Sequence, residues 1–313
     1  MNYLVTGGAG FIGTNLCRYL LKRDYSVICL DDLSTGKFSN IEQFLDNPNF
    51  IFIEHDLTKP YFPKSINGIF NLACPASPVH YQYNPIRTLK MGTLAMYNVL
   101  GMAAKFKVPI LQASTSEVYG DPKMHPQKES YWGNVNPFGP RSCYDEGKRV
   151  AEALCLAYKT HSNVSIRIAR IFNTYGPYMD ENDGRVVSNM IVQALNDKPL
   201  TVYGDGKQTR SFCFVDDLIK GLLKLMETDF QEPINIGNPN EIEIIDLAKK
   251  INEKVGSDQG IIFRNLPEDD PTKRRPDISL AKKVLDWEPQ ISLDYGLSKT
   301  ISWFNKNNGV ISL

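Results

Sequence analysis

The chain has no apolar run approaching the roughly 20 residues that a membrane-spanning helix requires. It also lacks charge of a prevailing sign. Its 35 Lys and Arg balance 35 Asp and Glu, and no basic stripe is present. No general attraction to nucleic acid or to an anionic membrane follows. No Cys-x-x-Cys pair occurs. The six cysteines at 17, 29, 74, 143, 155 and 213 are scattered, mostly inside apolar patterns. They read as buried free thiols suited to a reducing, cytoplasmic setting. The four histidines at 55, 80, 125 and 161 show no ligand spacing, so no metal site is expected. The first strand begins at residue 2, and no signal peptide is expected ahead of it. Repeats and low-complexity segments are missing as well. What is present is a chain of 313 residues, long enough to bury a large core and expected to form one large α/β unit with a smaller lobe.

The most informative stretch is the first. Tyr3, Leu4 and Val5 form an apolar run, Thr6-Gly7-Gly8-Ala9-Gly10-Phe11-Ile12-Gly13 follows, and a helical pattern opens through Ile12, Leu16, Tyr19, Leu20 and Leu21. Strand, glycine turn and helix is the context of a dinucleotide site. Gly7 permits the tight turn, Gly10 lets a pyrophosphate approach the backbone, and Gly13 lets helix and strand pack closely. The helix N-terminus at Phe11 and Ile12 offers N–H groups and a positive dipole end to phosphates. The spacing Gly7-x-x-Gly10-x-x-Gly13 differs from the dehydrogenase-type pattern and is weak evidence alone. It gains weight from a second apolar run, Val27 to Leu30, that ends in Asp31. An acid there accepts hydrogen bonds from a ribose diol and repels a 2′-phosphate, which favours NAD over NADP. Asp32 adds charge of the same sign or caps the next turn, and Ser34, Thr35 and Gly36 continue this candidate cofactor loop.

Strands and helices then alternate. Asn49–Ile53 reads as a third strand, followed by Asp56 and Leu57; Asp56 either touches the cofactor or only caps a turn. Gly68–Leu72 is a fourth strand and runs into Ala73-Cys74-Pro75-Ala76-Ser77-Pro78, which its prolines make a stiff loop. Ile86–Phe106 reads as one long helix, Pro109–Ala113 as a fifth strand, Cys143–Tyr158 as a helix and Ser165–Ile171 as a sixth strand. Residues 122–140, rich in proline, glycine and polar residues, read as a surface loop over the site. This rhythm predicts a Rossmann-type, doubly wound parallel sheet over residues 1–172. A smaller C-terminal substrate-binding lobe is expected from 173 to 313, with segments of 212–236 (Phe212–Val215 and Ile234–Ile236) returning to the main sheet.

Tyr144 and Lys148 share a helix face at i and i+4. A nearby ammonium is expected to lower the phenol pKa, so that a phenolate can take a hydroxyl proton while hydride leaves for a nicotinamide. Such a pair is common on helix surfaces. Its company gives it meaning: Ser114, Thr115 and Ser116 end the preceding strand, where a doubly wound sheet would place a nicotinamide. This is the pattern of short-chain dehydrogenase chemistry.

The Thr-Gly-Gly-x-Gly-Phe-Ile-Gly loop with Tyr-x-x-x-Lys resembles the extended short-chain dehydrogenases that act on nucleotide sugars. Four stretches resemble the UDP-glucuronate decarboxylases (UDP-xylose synthases) among them: residues 71–78, 113–120, 182–189 and 269–278. The likeness runs from residue 2 to about 305. It implies an NAD-dependent homodimer that oxidises C4 of UDP-glucuronate, releases CO2 from the resulting β-keto acid and reduces the C4 ketone. By resemblance, Tyr144 is base and then acid, Thr115 binds the C4 oxygen, and Ser116 and Glu117 handle the carboxylate and protonate C5. Glu117 could instead make a structural hydrogen bond. Arg274 is placed near the sugar carboxylate. Leu72 and Ala73 are expected at the cofactor. Pro75, Tyr81, Lys90, Asn173, Arg185, Tyr203, Gln208 and Arg210 are expected at the substrate, with Arg185 and Arg210 as diphosphate partners. One departure is visible: Met91-Gly92 stands where that family usually has Thr-Asn, which puts polar contacts to the cofactor in question. Other reactions on the same scaffold, 4-epimerisation, 4,6-dehydration or a decarboxylation that stops at the 4-keto pentose, remain alternatives.

Overall fold

A computed structural model describes residues 1–266 and 273–307. The apolar runs of the first half are strands: β1 (Asn2–Thr6), β2 (Ser26–Asp31), β3 (Phe50–Glu54), β4 (Gly68–Asn71), β5 (Ile110–Thr115) and β6 (Ile166–Ile171). With Pro233–Ile236 they form a seven-stranded sheet in the order β3, β2, β1, β4, β5, β6, Pro233–Ile236. Every pair in it is parallel. Parallel strands joined by crossovers are covered on both faces, which is why they read as nearly unbroken apolar runs. Val5, Val27 and Cys29 point into one core with Leu16 and Leu20 of the helix Phe11–Leu21 and Leu218 and Leu222 of Val215–Met226. Leu4, Ile28 and Leu30 point into the other, with Val99 and Leu100 of Met96–Phe106 and Ala151 and Cys155 of Ser142–Ser162.

The strand order reverses between β1 and β4, and this opens a crevice at their carboxyl ends. A buried polar ladder ties the crevice floor together. Thr6 Oγ1 donates to Asn71 Oδ1 at 2.6 Å, and Asn71 Nδ2 donates to Gln112 Oε1 at 2.6 Å, so β1, β4 and β5 are cross-linked at the switch point.

Beyond β6 the strands are short. Leu200–Tyr203 pairs with Ile261–Arg264, and Thr209–Ser211 pairs with Glu241–Glu243, against helices Val186–Leu195 and Ile244–Val255. Pro233–Ile236 pairs with β6, in line with the expected return of 234–236. Phe212–Val215 does not join that sheet. Cys213–Phe214 pairs with Thr174–Tyr175, and Val215 already opens the helix Val215–Met226, whose first turn carries Asp216 and Asp217. Carboxylates at a helix N-terminus favour starting the helix there.

The helix expected over 86–106 is also not continuous. It runs Pro85–Lys90, then a π-helical turn Met91–Ala95, then Met96–Phe106. The turn coincides with Gly92, where an added Cβ would lie 2.5 Å from the Gly147 carbonyl oxygen on Ser142–Ser162. Glycine here is a packing requirement, set by backbone-to-backbone approach of two helices. The departure at Met91-Gly92 therefore has a structural account in this chain.

Candidate active site

One cavity of about 770 Å³ lies across the switch point. Of the residues expected at the site, all but Gly36, Asp56 and Lys90 line it. At the cofactor end, Gly7 adopts φ +67°, and a Cβ there would meet Ala73 Cα at 2.9 Å. A Cβ on Gly13 would lie 2.0 Å from the Gly7 carbonyl oxygen, so helix and loop close only around glycine. At Gly10 the only near atom would be the Gly7 oxygen, at 3.3 Å. That backbone is open to the cavity beside Phe11, Ile12 and the start of the helix. Asp31 accepts from Ala9 N–H at 3.0 Å and Leu33 N–H at 2.9 Å. Its burial raises the carboxyl above the ordinary range, against the pull of these bonds. Asp32 is ion-paired with Arg87 and accepts from Ser34 N–H at 2.9 Å, so it serves its loop as well as the cavity wall.

The three exceptions have physical reasons. Gly36 sits behind Asp31: its added Cβ would meet both carboxylate oxygens at 2.9 Å. Asp56 caps a turn, accepting from Thr58 N–H at 2.9 Å. Lys90 is exposed, while its neighbour Met91 is buried and lines the cavity. One residue of helix turns the side chain by about 100°, which carries Lys90 away from the site that Met91 faces.

Tyr144 is buried and stacks on Tyr81, with ring centroids 5.0 Å apart and planes at 8°. Burial pushes its phenol well above the ordinary range; Cys74 adds to the effect and a hydrogen bond to Thr115 opposes it. The net shift is upward, opposite to the lowering expected from Lys148. The ammonium lies 5.7 Å from the Tyr144 ring centroid and donates to the Ala113 carbonyl at 2.8 Å. Thr115 reaches the same phenol from the end of β5. Ser114 lines the cavity, but its hydroxyl donates to Glu152 at 2.5 Å, within the Glu152–Arg170 ion pair behind the sheet.

At the other end, Glu117 Oε2 receives two guanidiniums, Arg141 at 2.6 Å and Arg274 at 3.0 Å. Arg274 also donates to the Ser116 carbonyl at 2.6 Å and is 2% exposed. Burial raises the Glu117 carboxyl, but Arg274 and Arg141 outweigh it and hold the group below its usual range. A carboxylate so held is a poor proton donor, and the C5-protonating role implied by resemblance does not suit it in this arrangement. A role in setting the two guanidiniums does. Ser116 Oγ completes the cluster, donating to Glu117 Oε1 at 3.3 Å.

Arg185 pairs with Asp183 and lies over the Phe11 ring at 5.3 Å, at the seam of the two ends. Asn173, Arg210, Tyr203 and Gln208 line the far wall, where Gln208 donates to the Tyr203 carbonyl at 2.6 Å. Pro75 and Tyr81 line the near wall, and the Tyr81 hydroxyl has no hydrogen-bond partner among the described residues. Of the stretch 269–278, residues 269–272 lie outside the described residues. Sequence reasoning missed Arg141. The available signal was a cation three residues before Tyr144, on the approach to the same helix. Among the described residues, no group of three His, Cys, Asp or Glu side chains could hold a metal ion, and no helix is long and apolar enough to cross a membrane.

Comparison with known proteins bears on this geometry. Residues 4–300 match the family described as GDP-mannose 4,6 dehydratase. UDP-glucuronic acid decarboxylase 2 of Arabidopsis thaliana is 52% identical over 306 residues, 98% of this chain and 68% of that protein. UDP-glucuronic acid decarboxylase 1 of Xenopus tropicalis is 51% identical over 303 residues, 97% and 72% respectively. Among solved structures, the UDP-glucuronic acid 4-epimerase of Bacillus cereus, in complex with UDP-glucuronic acid and NAD, superposes with TM-score 0.87 at 29% identity, covering 98% of this chain and 99% of that one.

Proposed function

The chain belongs to the GDP-mannose 4,6 dehydratase family of extended short-chain dehydrogenases, with UDP-glucuronic acid decarboxylases as relatives at about half identity, and on that premise we propose that it converts UDP-glucuronate to UDP-xylose and CO2. The observation that carries the reading is a buried two-arginine cluster, Arg141 and Arg274 on Glu117, in the same cavity as Tyr144, Thr115 and Lys148. A sugar carboxylate is the substituent that calls for guanidiniums.

The open backbone at Gly10, the N-terminus at Phe11–Ile12 and the Asp31 carboxylate suit NAD. When bound, NAD supplies the hydride acceptor for the first step and the donor for the last. Tyr144 takes the proton of the C4 hydroxyl and later returns it to the C4 oxygen. Its buried phenol needs a cationic neighbour to ionise, so Lys148 and a bound nicotinamide act in the same direction. Thr115 orients the C4 oxygen. Arg274, set by Glu117 and the Ser116 carbonyl, orients the carboxylate so that its bond to C5 can break once C4 is a ketone; the electron pair passes to the C4 oxygen as an enolate, which takes a proton from water at C5 before the ketone is reduced. Arg185 and Arg210 neutralise the diphosphate.

The assembly we favour is a homodimer in the cytoplasm. Ile86, Leu89, Leu94 and Tyr97 on one helical run and Val150 and Leu156 on the adjoining helix are exposed, an apolar face that a second copy would cover. The cysteines are all unpaired, as a reducing compartment requires.

The deciding experiment is incubation of the purified protein with UDP-glucuronate, without added NAD, followed by mass spectrometry and NMR of the nucleotide sugars. UDP-xylose with released CO2 is expected. UDP-galacturonate as product would replace this reading with 4-epimerisation, and a UDP-4-keto pentose with NADH would mean that the final reduction fails.

A further inference from the structure

Arg274 stands on a stretch of chain that makes only single bridges to its neighbours, Arg274 to Arg210 and Pro276 to Gln127. Buried amides do much of the work of placing it. Gln127 takes hold of the stretch from one side. Its N–H donates to the Arg275 carbonyl at 2.9 Å, its carbonyl accepts from Asp277 N–H at 2.8 Å, and its Oε1 accepts from Arg275 N–H at 2.8 Å. Asn235, in the edge strand Pro233–Ile236 of the main sheet, holds this pairing in turn. Its Nδ2 donates to the Gln127 carbonyl and to the Asp277 carbonyl, both at 3.0 Å. Its Oδ1 accepts from the Tyr119 hydroxyl at 2.7 Å. Tyr119 closes the short helical turn Ser116–Tyr119, which opens with the two residues that Arg274 meets, Ser116 and Glu117. Asn235, Gln127 and Tyr119 all have no exposed surface.

Resting on the decarboxylase reading, we propose that Asn235 is a positioning residue acting through Arg274: one buried amide ties the stretch that carries the guanidinium to the turn that carries Ser116 and Glu117, and so sets the guanidinium against the Thr115 end of β5. Asn235 does not line the cavity, whereas Arg274 and Thr115 both do. Its two amide hydrogens and its oxygen are all engaged, and they reach three separate segments of chain. No residue without both a donor and an acceptor can make that junction. A guanidinium holds a carboxylate through directed hydrogen bonds, and a displacement of about 1 Å is enough to lose them. A C6 hydroxymethyl group carries no charge and is far less sensitive to the same displacement. Disturbing Asn235 should therefore lower the preference for a uronate over the corresponding hexose, with smaller effects on the rest of the nucleotide sugar.

The test is titration calorimetry on the full-length, NAD-loaded protein in a Tyr144→Phe background, which prevents turnover during the measurement. UDP-glucuronate, UDP-glucose and UDP are each titrated, so that nucleotide and diphosphate effects cancel in the ratio of the first two. Asn235→Asp keeps the shape and the acceptor for Tyr119 but sets a carboxyl group against the Gln127 and Asp277 carbonyls. It is expected to lower the UDP-glucuronate to UDP-glucose affinity ratio about tenfold, with UDP affinity within about threefold. Tyr119→Phe opens the same link from its other end and should lower the ratio about threefold; it decides the question should Asn235→Asp not fold. An unchanged ratio, or equal losses for all three ligands as a merely structural role would give, would overturn the proposal. If the protein with Asn235 intact showed no preference for UDP-glucuronate over UDP-glucose, the decarboxylase reading would fall, and the role of Asn235 with it.

Discussion

The two ends of the cavity are built by different means. The cofactor end is one contiguous stretch, Thr6 to Gly13, whose shape is fixed by backbone contacts at Gly7 and Gly13 and by Asp31 holding Ala9. The substrate end is assembled from separated segments: Arg141 reaches Glu117 across 24 residues of chain, and Arg274 reaches Ser116 across 158. The first end is held by volume, with no room for a methyl group. The second is held by charge, with guanidiniums and carboxylates out of water. The first should therefore fail by overpacking and the second by loss or misbalance of charge.

Tyr144 belongs to both ends, because it touches Thr115 and stacks on Tyr81. Tyr144→Phe should give the largest effect, a fall in kcat of about 10³-fold from loss of the transferred proton, with UDP-glucuronate affinity within about threefold. Steady-state kinetics with a binding isotherm checks this. A variant that kept the wild-type rate would remove Tyr144 from the proton path.

Gly13→Ala tests the claim that the cofactor end is held by volume. A Cβ 2.0 Å from the Gly7 oxygen cannot be accommodated without moving backbone. The cost should be about 2–3 kcal/mol, read as a lower Tm, together with loss of copurifying NAD. Unchanged NAD content and Tm would show that the loop is softer than its contacts imply. Gly92→Ala makes the same test where the catalytic helix passes the π-helical turn, with a Cβ 2.5 Å from the Gly147 oxygen. Here about 1–2 kcal/mol is expected, since a helix can shift more readily than a tight loop.

The contrast also explains what the sequence made legible. Contiguity made the glycine loop, Asp31 and the Tyr144–Lys148 pair readable, because each depends on local spacing alone. The doubly wound parallel sheet followed from the alternation of apolar runs and helices. Arg141 was not readable, although it lies three residues before Tyr144, because its meaning depends on Glu117 and Arg274 arriving from elsewhere. Lys90 failed for a related reason: the π-helical turn and the packing of Met91 decide which way that stretch of helix faces. The raised Tyr144 phenol was missed because i and i+4 spacing places Lys148 nearby but says nothing of the burial that raises the phenol, nor of the Ala113 carbonyl that accepts a hydrogen bond from the ammonium.

Glu117→Gln gives the smallest and most discriminating effect, because it removes charge while keeping shape at the end held by charge. Tyr144 and Thr115 govern the C4 oxygen, whereas Glu117 meets the two arginines that face the carboxylate. C4 oxidation should thus survive better than complete conversion. UDP-xylose formation should slow about tenfold while a 4-keto species and NADH build up, as followed by NMR and absorbance. The variant should also alter acid stability in a defined sense. The Glu117 carboxyl lies below its ordinary range, so its ion pairs stabilise the fold above the pKa of an unfolded glutamate and are lost as pH falls through the folded value. The Tm difference between wild type and Glu117→Gln should therefore be full at pH 7 and shrink on acidification. If UDP-xylose formation and acid stability both stayed unchanged, the arginines would hold their places without Glu117, and the substrate end would be fixed by packing after all.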